Sequence, residues 1–233
     1  MTGGEGDTGM LERIVIDEAV RELRPDAAVL AITAQGLVNG PSDARTADWL
    51  ARAAKAAAEA ADDPHLEAWR DAYRAFGAKP QRTRPSVDAL VRRAAALPEI
   101  NRVVDAYNAV SVEYALPVGG EDLDAYRGPA RLVRAAGDEP FDTVANGEPA
   151  VENPLPGEVV WRDDEGVTCR RWNWRQCVRT RITESTVNAL FLLERLSPYP
   201  LDRLHRAGDD LAARLRELAP GVRIETRLIG ADS

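Results

Sequence analysis

The chain is poor in the residues that most often carry catalysis. Of its 233 residues only two are cysteine and two are histidine. Cys169 and Cys177 cannot complete a tetrahedral site, and His65 and His205 lie far from them in sequence, on helical patterns that put both at helix surfaces. No metal site and no Ser-His-Asp triad is therefore expected. Walker, G-x-G-x-x-G, G-x-S-x-G and H-E-x-x-H motifs are missing, and no cofactor is expected. No apolar run approaches the ~18 residues of a transmembrane helix. Met1 to Asp7 is glycine-rich and acidic and lacks the basic and apolar regions of a secretory signal, so a cytoplasmic protein with reduced cysteines is expected. Lysine occurs only at Lys55 and Lys79, and the net charge is −8. That is the wrong sign for a surface wholly devoted to nucleic acid, and neither DNA nor a membrane is an expected partner.

What is present is ordinary globular material, with 45% hydrophobic and 29% charged residues. Residues 1–10 read as a disordered tail and residues 11–233 as one domain. A helix from Asp17 to Leu23 stops at Pro25, and Ala27 to Val38 is a buried strand closed by Asn39-Gly40. Ser42 is positioned to cap a helix running to Ala61. Asp63-Pro64 opens a second, carrying Leu66, Trp69, Tyr73 and Phe76 at helical spacing and closed by Gly77. Ser86 and Asn101 head two more, the last bearing Val104, Tyr107, Asn108, Val112 and Tyr114. Beyond Leu116 the pattern changes. Pro117-Val118-Gly119-Gly120 reads as a turn. Short strand candidates follow at 130–135, 141–144, 159–162, 167–174 and 187–194, with Asp163–Gly166 as a hairpin turn. An amphipathic helix over 201–218 and an edge strand over 222–229 end the chain. The order predicts an α+β fold, with a mainly antiparallel, barrel-like or layered sheet packed against helices.

Two basic segments stand out. Arg170, Arg171, Arg175, Arg179 and Arg181 occur with no acid between them, interleaved with Trp172 and Trp174. Arginines neutralise phosphates and indoles stack on unpaired bases. On a strand Arg171, Asn173 and Arg175 would share one face and Trp172 and Trp174 the other, a pattern that any half-buried strand also shows. Lys79, Arg82 and Arg84 form a second run in the loop after the aromatic helix, fit either for phosphate contact or for plain solvation.

The segment INRVVDAYNAVSVEYALPVGGEDLDAYRGPARLVRA carries V-V-D-x-x-N, then L-P, D-L-D, Gly128 and R-L-V-R-A. With HLEAWRDAYRAFGAKP before it and CRRWNWRQC after it, the order resembles the B3/B4 tRNA-binding domain of the phenylalanyl-tRNA synthetase beta chain, above all its free-standing relatives. The resemblance covers residues 64–195 best. In the synthetase this module hydrolyses tyrosine wrongly attached to the phenylalanine tRNA. The resemblance therefore implies a protein that binds tRNA or aminoacyl-tRNA, with hydrolysis of a mischarged ester in trans as the second reading within it. The alternative is a module that binds an amino-acid-like ligand without catalysis or RNA contact. Asp105 and Asn108 match the V-V-D-x-x-N pair; both also suit a purely structural hydrogen-bonding role. The family's editing-site histidine falls on Gly119, so its imidazole is absent. Glu121, Arg175 and Gln176 are the implied catalytic candidates. Asn108, Gly119, Gly120, Asn173, Trp174 and Glu194 are the implied substrate-binding residues. By their basic character, Lys79, Arg82, Arg84, Arg170 and Arg171 are the candidate RNA contacts. Trp172, Trp174 and Arg175 stand where the family has a glycine-rich pocket wall. Glu194 matches the carboxylate that contacts the misplaced amino acid's hydroxyl only if the strand holds one extra residue; otherwise the position is Leu192.

Overall fold

The fold was read from a computed structural model that describes residues 9–230. Of the expected disordered tail, residues 1–8 lie outside the described residues. Met10 departs from that expectation, because it opens a short 3-10 turn, Met10–Arg13, and rests against the core.

The first half is mainly helical, as its periodicity predicts, and one of its two strands proves central. β1 (Val15–Ile16) leads into α1 (Glu18–Leu23), capped by the Asp17 side chain. β2 (Ala28–Gln35) follows, then α2 (Ala44–Ala61) and α3 (Pro64–Ala75). Asp43, not Ser42, caps α2, in a reciprocal box with Thr46. Ser42 instead donates to Asp105 Oδ2 at 2.5 Å, joined there by Thr46 at 2.9 Å, while Ile100 N–H donates to Oδ1 at 2.9 Å. Asp105 is thus a buried tie between helices. α4 (Ser86–Arg92) starts at Ser86 itself, behind Pro85 and without a side-chain cap. Asn101 caps α5 (Arg102–Tyr114) as expected.

The expected turn at 117–120 is a strand. β3 (Val118–Asp122) carries both glycines, and extended backbone accepts them because pairing with the strand over Asn188–Arg195 supplies the hydrogen bonds. Then come β4 (Arg131–Arg134), β5 (Phe141–Ala145), β6 (Glu148–Glu152), β7 (Val159–Arg162), β8 (Val167–Arg170), β9 (Arg175–Gln176) and β10 (Asn188–Arg195). α6 (Leu201–Leu218) and β11 (Arg223–Gly230) complete the fold. An antiparallel four-stranded sheet runs β11-β2-β10-β3, and a five-stranded sheet runs β1-β4-β7-β8-β9 with only β1 parallel to its neighbour. β5 and β6 form a separate hairpin. Neither sheet closes into a barrel, so the layered arrangement is the one realised.

Register assigns the two faces of the four-stranded sheet. Leu30, Ile32, Phe191 and Gly120 share a face, and α5 and α6 cover it: Tyr107 lies 6.0 Å from Phe191 between ring centroids, and Gly208 seats α6 directly on Leu30. Gly119, Glu121, Leu192 and Glu194 share the opposite face, which looks toward Trp161 of the second sheet.

Candidate functional site

A cavity of about 230 Å³ opens beside β3, the edge strand of the four-stranded sheet. Gly119, Glu121, Leu192 and Glu194 supply its floor, Trp161 and Cys169 the wall from the second sheet, and Tyr107, Asn108 and Leu90 the helical side. The remaining wall is the segment Trp172–Gln176. Period-two alternation puts Leu192 and Glu194 on the same face, so both positions weighed from the sequence line the cavity.

Glu194 sits deepest. Its carboxylate accepts from Trp161 Nε1 at 2.7 Å and from Asn173 Nδ2 at 2.9 Å. Asn173 is itself held by the Tyr73 hydroxyl, which donates to its Oδ1 at 2.9 Å. The Trp172 indole N–H also faces this carboxylate but is buried without a hydrogen bond of its own. Burial outweighs these donors and pushes the Glu194 carboxyl up to about 7. Glu121 is as deeply buried. Thr180 Oγ1 donates to it and the Gln176 amide lies against it, yet burial raises its carboxyl to about 8. Two carboxyls that titrate near neutrality thus line one apolar, indole-walled space. Burial also pushes up the Cys169 thiol, which is therefore no ready nucleophile.

Arg175 makes the mouth cationic. The guanidinium groups of Arg171 and Arg175 lie over the Trp174 ring, 4.3 Å and 4.5 Å from its centroid. Arg175 is exposed and forms no ion pair among the described residues. Gln176 Nε2 donates to the Gly120 carbonyl, pinning β9 to β3. A Cβ built on Gly119 meets nothing within 4 Å, so this residue leaves room at the cavity floor. Gly120 contributes its backbone only; a Cβ there would lie 2.8 Å from both Tyr107 and Ile182.

Several sequence expectations need correcting. The strand expected over 167–174 ends at Arg170, because Arg171 and Trp172 adopt left-handed backbone, with φ of 48° and 66°. The chain reverses there, which puts Trp172 and Asn173 inside and leaves Arg175 outside instead of alternating. Arg170, expected to contact RNA, is buried: its Nε and Nη2 each donate to Glu158 at 2.9 Å, and Nη1 donates to Glu152 at 3.0 Å. Arg179 is likewise committed to Asp163. Arg84 lies 3.7 Å from the buried Asp88, away from Lys79 and Arg82. His65 is not on a helix surface. It is fully buried; its Nε2 accepts from Trp69 Nε1 and from Leu196 N–H, each at 3.0 Å, and its Nδ1 is 2.9 Å from the Ala115 carbonyl.

Trp161, Tyr107 and Cys169 line the cavity and Tyr73 braces Asn173, though none is an expected site residue. Their only signal was apolar periodicity, which reads the same for a core residue as for a cavity wall. Lys79, Arg82 and Arg171 meet in a second cavity, also of about 230 Å³. Among the described residues no group of three or more His, Cys, Asp and Glu side chains is placed to hold a metal ion, and no helix is long and apolar enough to cross a membrane.

No curated protein matches the chain. Among solved structures it is similar to an N-terminal fragment of the phenylalanyl-tRNA synthetase beta-subunit from Pyrococcus horikoshii, with 14% identity and a TM-score of 0.47. That match covers 94% of this chain and 54% of the fragment, so the chain spans about half the fragment's length. The sequence pattern of the B3/4 domain family matches residues 68–209, which include the whole lining of the cavity and more than half of the chain, and the chain belongs to that family.

Proposed function

We propose that the chain receives the aminoacyl end of a charged tRNA in the indole-walled cavity and hydrolyses the ester of a wrongly attached amino acid. The observation that carries this reading is Glu194: a buried carboxylate, oriented by Trp161 and Asn173, at the back of a cavity large enough for an amino-acid side chain. There it accepts a hydrogen bond from a polar group on the ligand. Burial without such a partner is costly, so a ligand lacking the donor is discriminated against.

Hydrolysis requires water to add to the ester carbonyl, the developing oxyanion to be met by donors, and the ribose oxygen to leave with a proton. Arg175 and the Gln176 amide supply N–H donors at the mouth, and donors fixed in advance are worth most in a water-poor site. Glu121, with its carboxyl near 8, is protonated at neutral pH and serves as a donor, and the proton given up by the attacking water goes to the leaving ribose oxygen. A second reading, binding of an amino-acid-like ligand without catalysis, has two specific observations in its favour. Gly119 leaves the cavity without an imidazole, and both carboxylates already accept hydrogen bonds from the protein.

The test is purified protein with a panel of correctly and wrongly charged tRNAs, following ester loss. Selective loss on one mischarged species supports hydrolysis; tight binding that leaves every ester intact supports the second reading. Arg175→Lys keeps the charge but loses the planar fork, and should slow ester loss by roughly tenfold to a hundredfold, the equivalent of one charge-assisted hydrogen bond. Parental rates in that variant would remove Arg175 from the site.

A further inference from the structure

The second cavity lies on the other side of the 171–174 turn from the first. Its wall carries Lys79, Arg82 and Arg171, and one acid, Glu158. Both Glu158 oxygens are already taken by the Arg170 fork, at 2.9 Å each, and the same guanidinium also pairs with Glu152 at 3.0 Å, so Glu158 is largely engaged away from the cavity. Three cations thus face the cavity against one carboxylate, in a protein of net charge −8. Lys79 and Arg82 form no ion pair among the described residues. Arg171 reaches Glu158 only loosely, at 3.7 Å, and its Nη1 is buried with no hydrogen-bond partner. Its guanidinium lies over the Trp174 ring and brings its charge to the cavity wall, where an anionic ligand would pair with it. Phe76 and the exposed Leu155 add an apolar border beside the charges.

We infer that this second cavity is an oxyanion site that takes the phosphate of a nucleotide, with the nucleoside lying against Phe76 and Leu155. A tetrahedral phosphate offers several acceptor oxygens to donors arriving from different directions, which suits one lysine and two arginines on separate segments. The cavity stands on its own charges. Its further role rests on the proposed function: Arg171 lines this cavity while Trp172, Asn173 and Trp174 line the first, so a terminal nucleotide held here would present its aminoacyl group next door.

The experiment is calorimetric titration of the full chain at low ionic strength with adenosine 5′-monophosphate, inorganic phosphate and adenosine. The expected order is adenosine monophosphate tighter than phosphate, with adenosine not binding. Lys79→Ala with Arg82→Ala, both on an exposed loop and without structural partners, should weaken the monophosphate at least tenfold. Arg171→Ala should weaken it tenfold to a hundredfold, with Arg171→Lys between that variant and the parent. Adenosine binding as well as its monophosphate, or a double variant that binds like the parent, overturns the site. The two readings fail separately. Ester hydrolysis with no selective binding of the monophosphate removes only this site; selective binding of the monophosphate with no effect on any aminoacyl ester removes only the proposed function.

Discussion

Glu121 and His65 are buried ionisable side chains that pull stability in opposite directions along the pH scale. Burial holds the His65 imidazole down at about 4, neutral, with its Nε2 accepting two hydrogen bonds and its Nδ1–H left to donate to the Ala115 carbonyl. A depressed value means stability is whole above the unfolded histidine's 6.5 and is lost as pH falls toward 4. The lowered carboxylates of Asp88 and Asp163 add loss on the acid side. Glu121 behaves in the reverse sense. Its carboxyl is raised from 4.5 to about 8, so its contribution is whole below 4.5 and lost as pH rises through 8; Glu194, at about 7, does the same over a narrower span. Glu121→Gln keeps the size of the side chain and removes the proton. It should leave stability unchanged near pH 4.5 and raise it by about 3 kcal/mol at pH 7, read as the difference between urea midpoints at the two pH values. An equal gain at both pH values would mean that Glu121 is ionised throughout.

At the scale of the element, β3 holds two adjacent glycines with opposite demands. Gly119 turns toward the cavity, where a Cβ meets nothing within 4 Å, while Gly120 turns toward Tyr107 and Ile182, whose atoms stand 2.8 Å from its hypothetical Cβ. Gly119→Leu should therefore fold with parental stability, because extended backbone accepts any residue and the side chain enters open space, while abolishing ligand binding by filling the cavity. Gly120→Ala should destabilise by about 1–3 kcal/mol, since a ring edge packed on a strand cannot move aside as a free side-chain end can. Thermal melts of the two variants check the contrast, and a destabilised Gly119→Leu would show that the floor is closed. The Arg171–Trp172 turn makes a related point. Left-handed backbone at two successive non-glycine residues carries a cost of roughly 1–2 kcal/mol each. Here the Trp172 ring locks the turn by packing edge-on against Trp69, 5.1 Å away.

Across the whole molecule, charge is sorted rather than balanced. The long arginine run that looked like one basic stripe is divided: Arg170 and Arg179 are tied to Glu158 and Asp163, and Arg171 and Arg175 lie over Trp174. Lys79 and Arg82 remain free to displace counterions, whereas Arg84 spends part of its field on Asp88. If RNA binds here, the dependence of affinity on salt reports each freed phosphate contact. Lys79→Ala with Arg82→Ala should lower the slope of log affinity against log salt by about two, and Arg84→Ala by less than one. Filter binding over a salt series decides the point; a larger effect from Arg84 would reverse the assignment.

Much of the element plan was legible locally. Asp63-Pro64 and Asn101 mark helix starts because their side chains or rings act on the next few residues. Asp163–Gly166 marks a reversal, and the period of β10 puts Leu192 and Glu194 on one face whatever their partners. What no local pattern carries is which distant groups meet. Glu158 neutralises Arg170 across a hairpin, Tyr73 and Trp161 orient the Asn173–Glu194 pair from different layers, and Met10 finds a place on the core. The left-handed turn at Arg171 escaped notice because neither Arg nor Trp favours it; the packing of Trp172 against Trp69 compensates for a conformation that local sterics disfavour. The sequence by itself determined the helices, most strands and the set of polar residues available for chemistry, because propensity, capping and periodicity act over a few residues. The tertiary structure alone decided which of those residues share a cavity and which arginines stay unpaired, because burial and ion pairing depend on segments far apart in the chain.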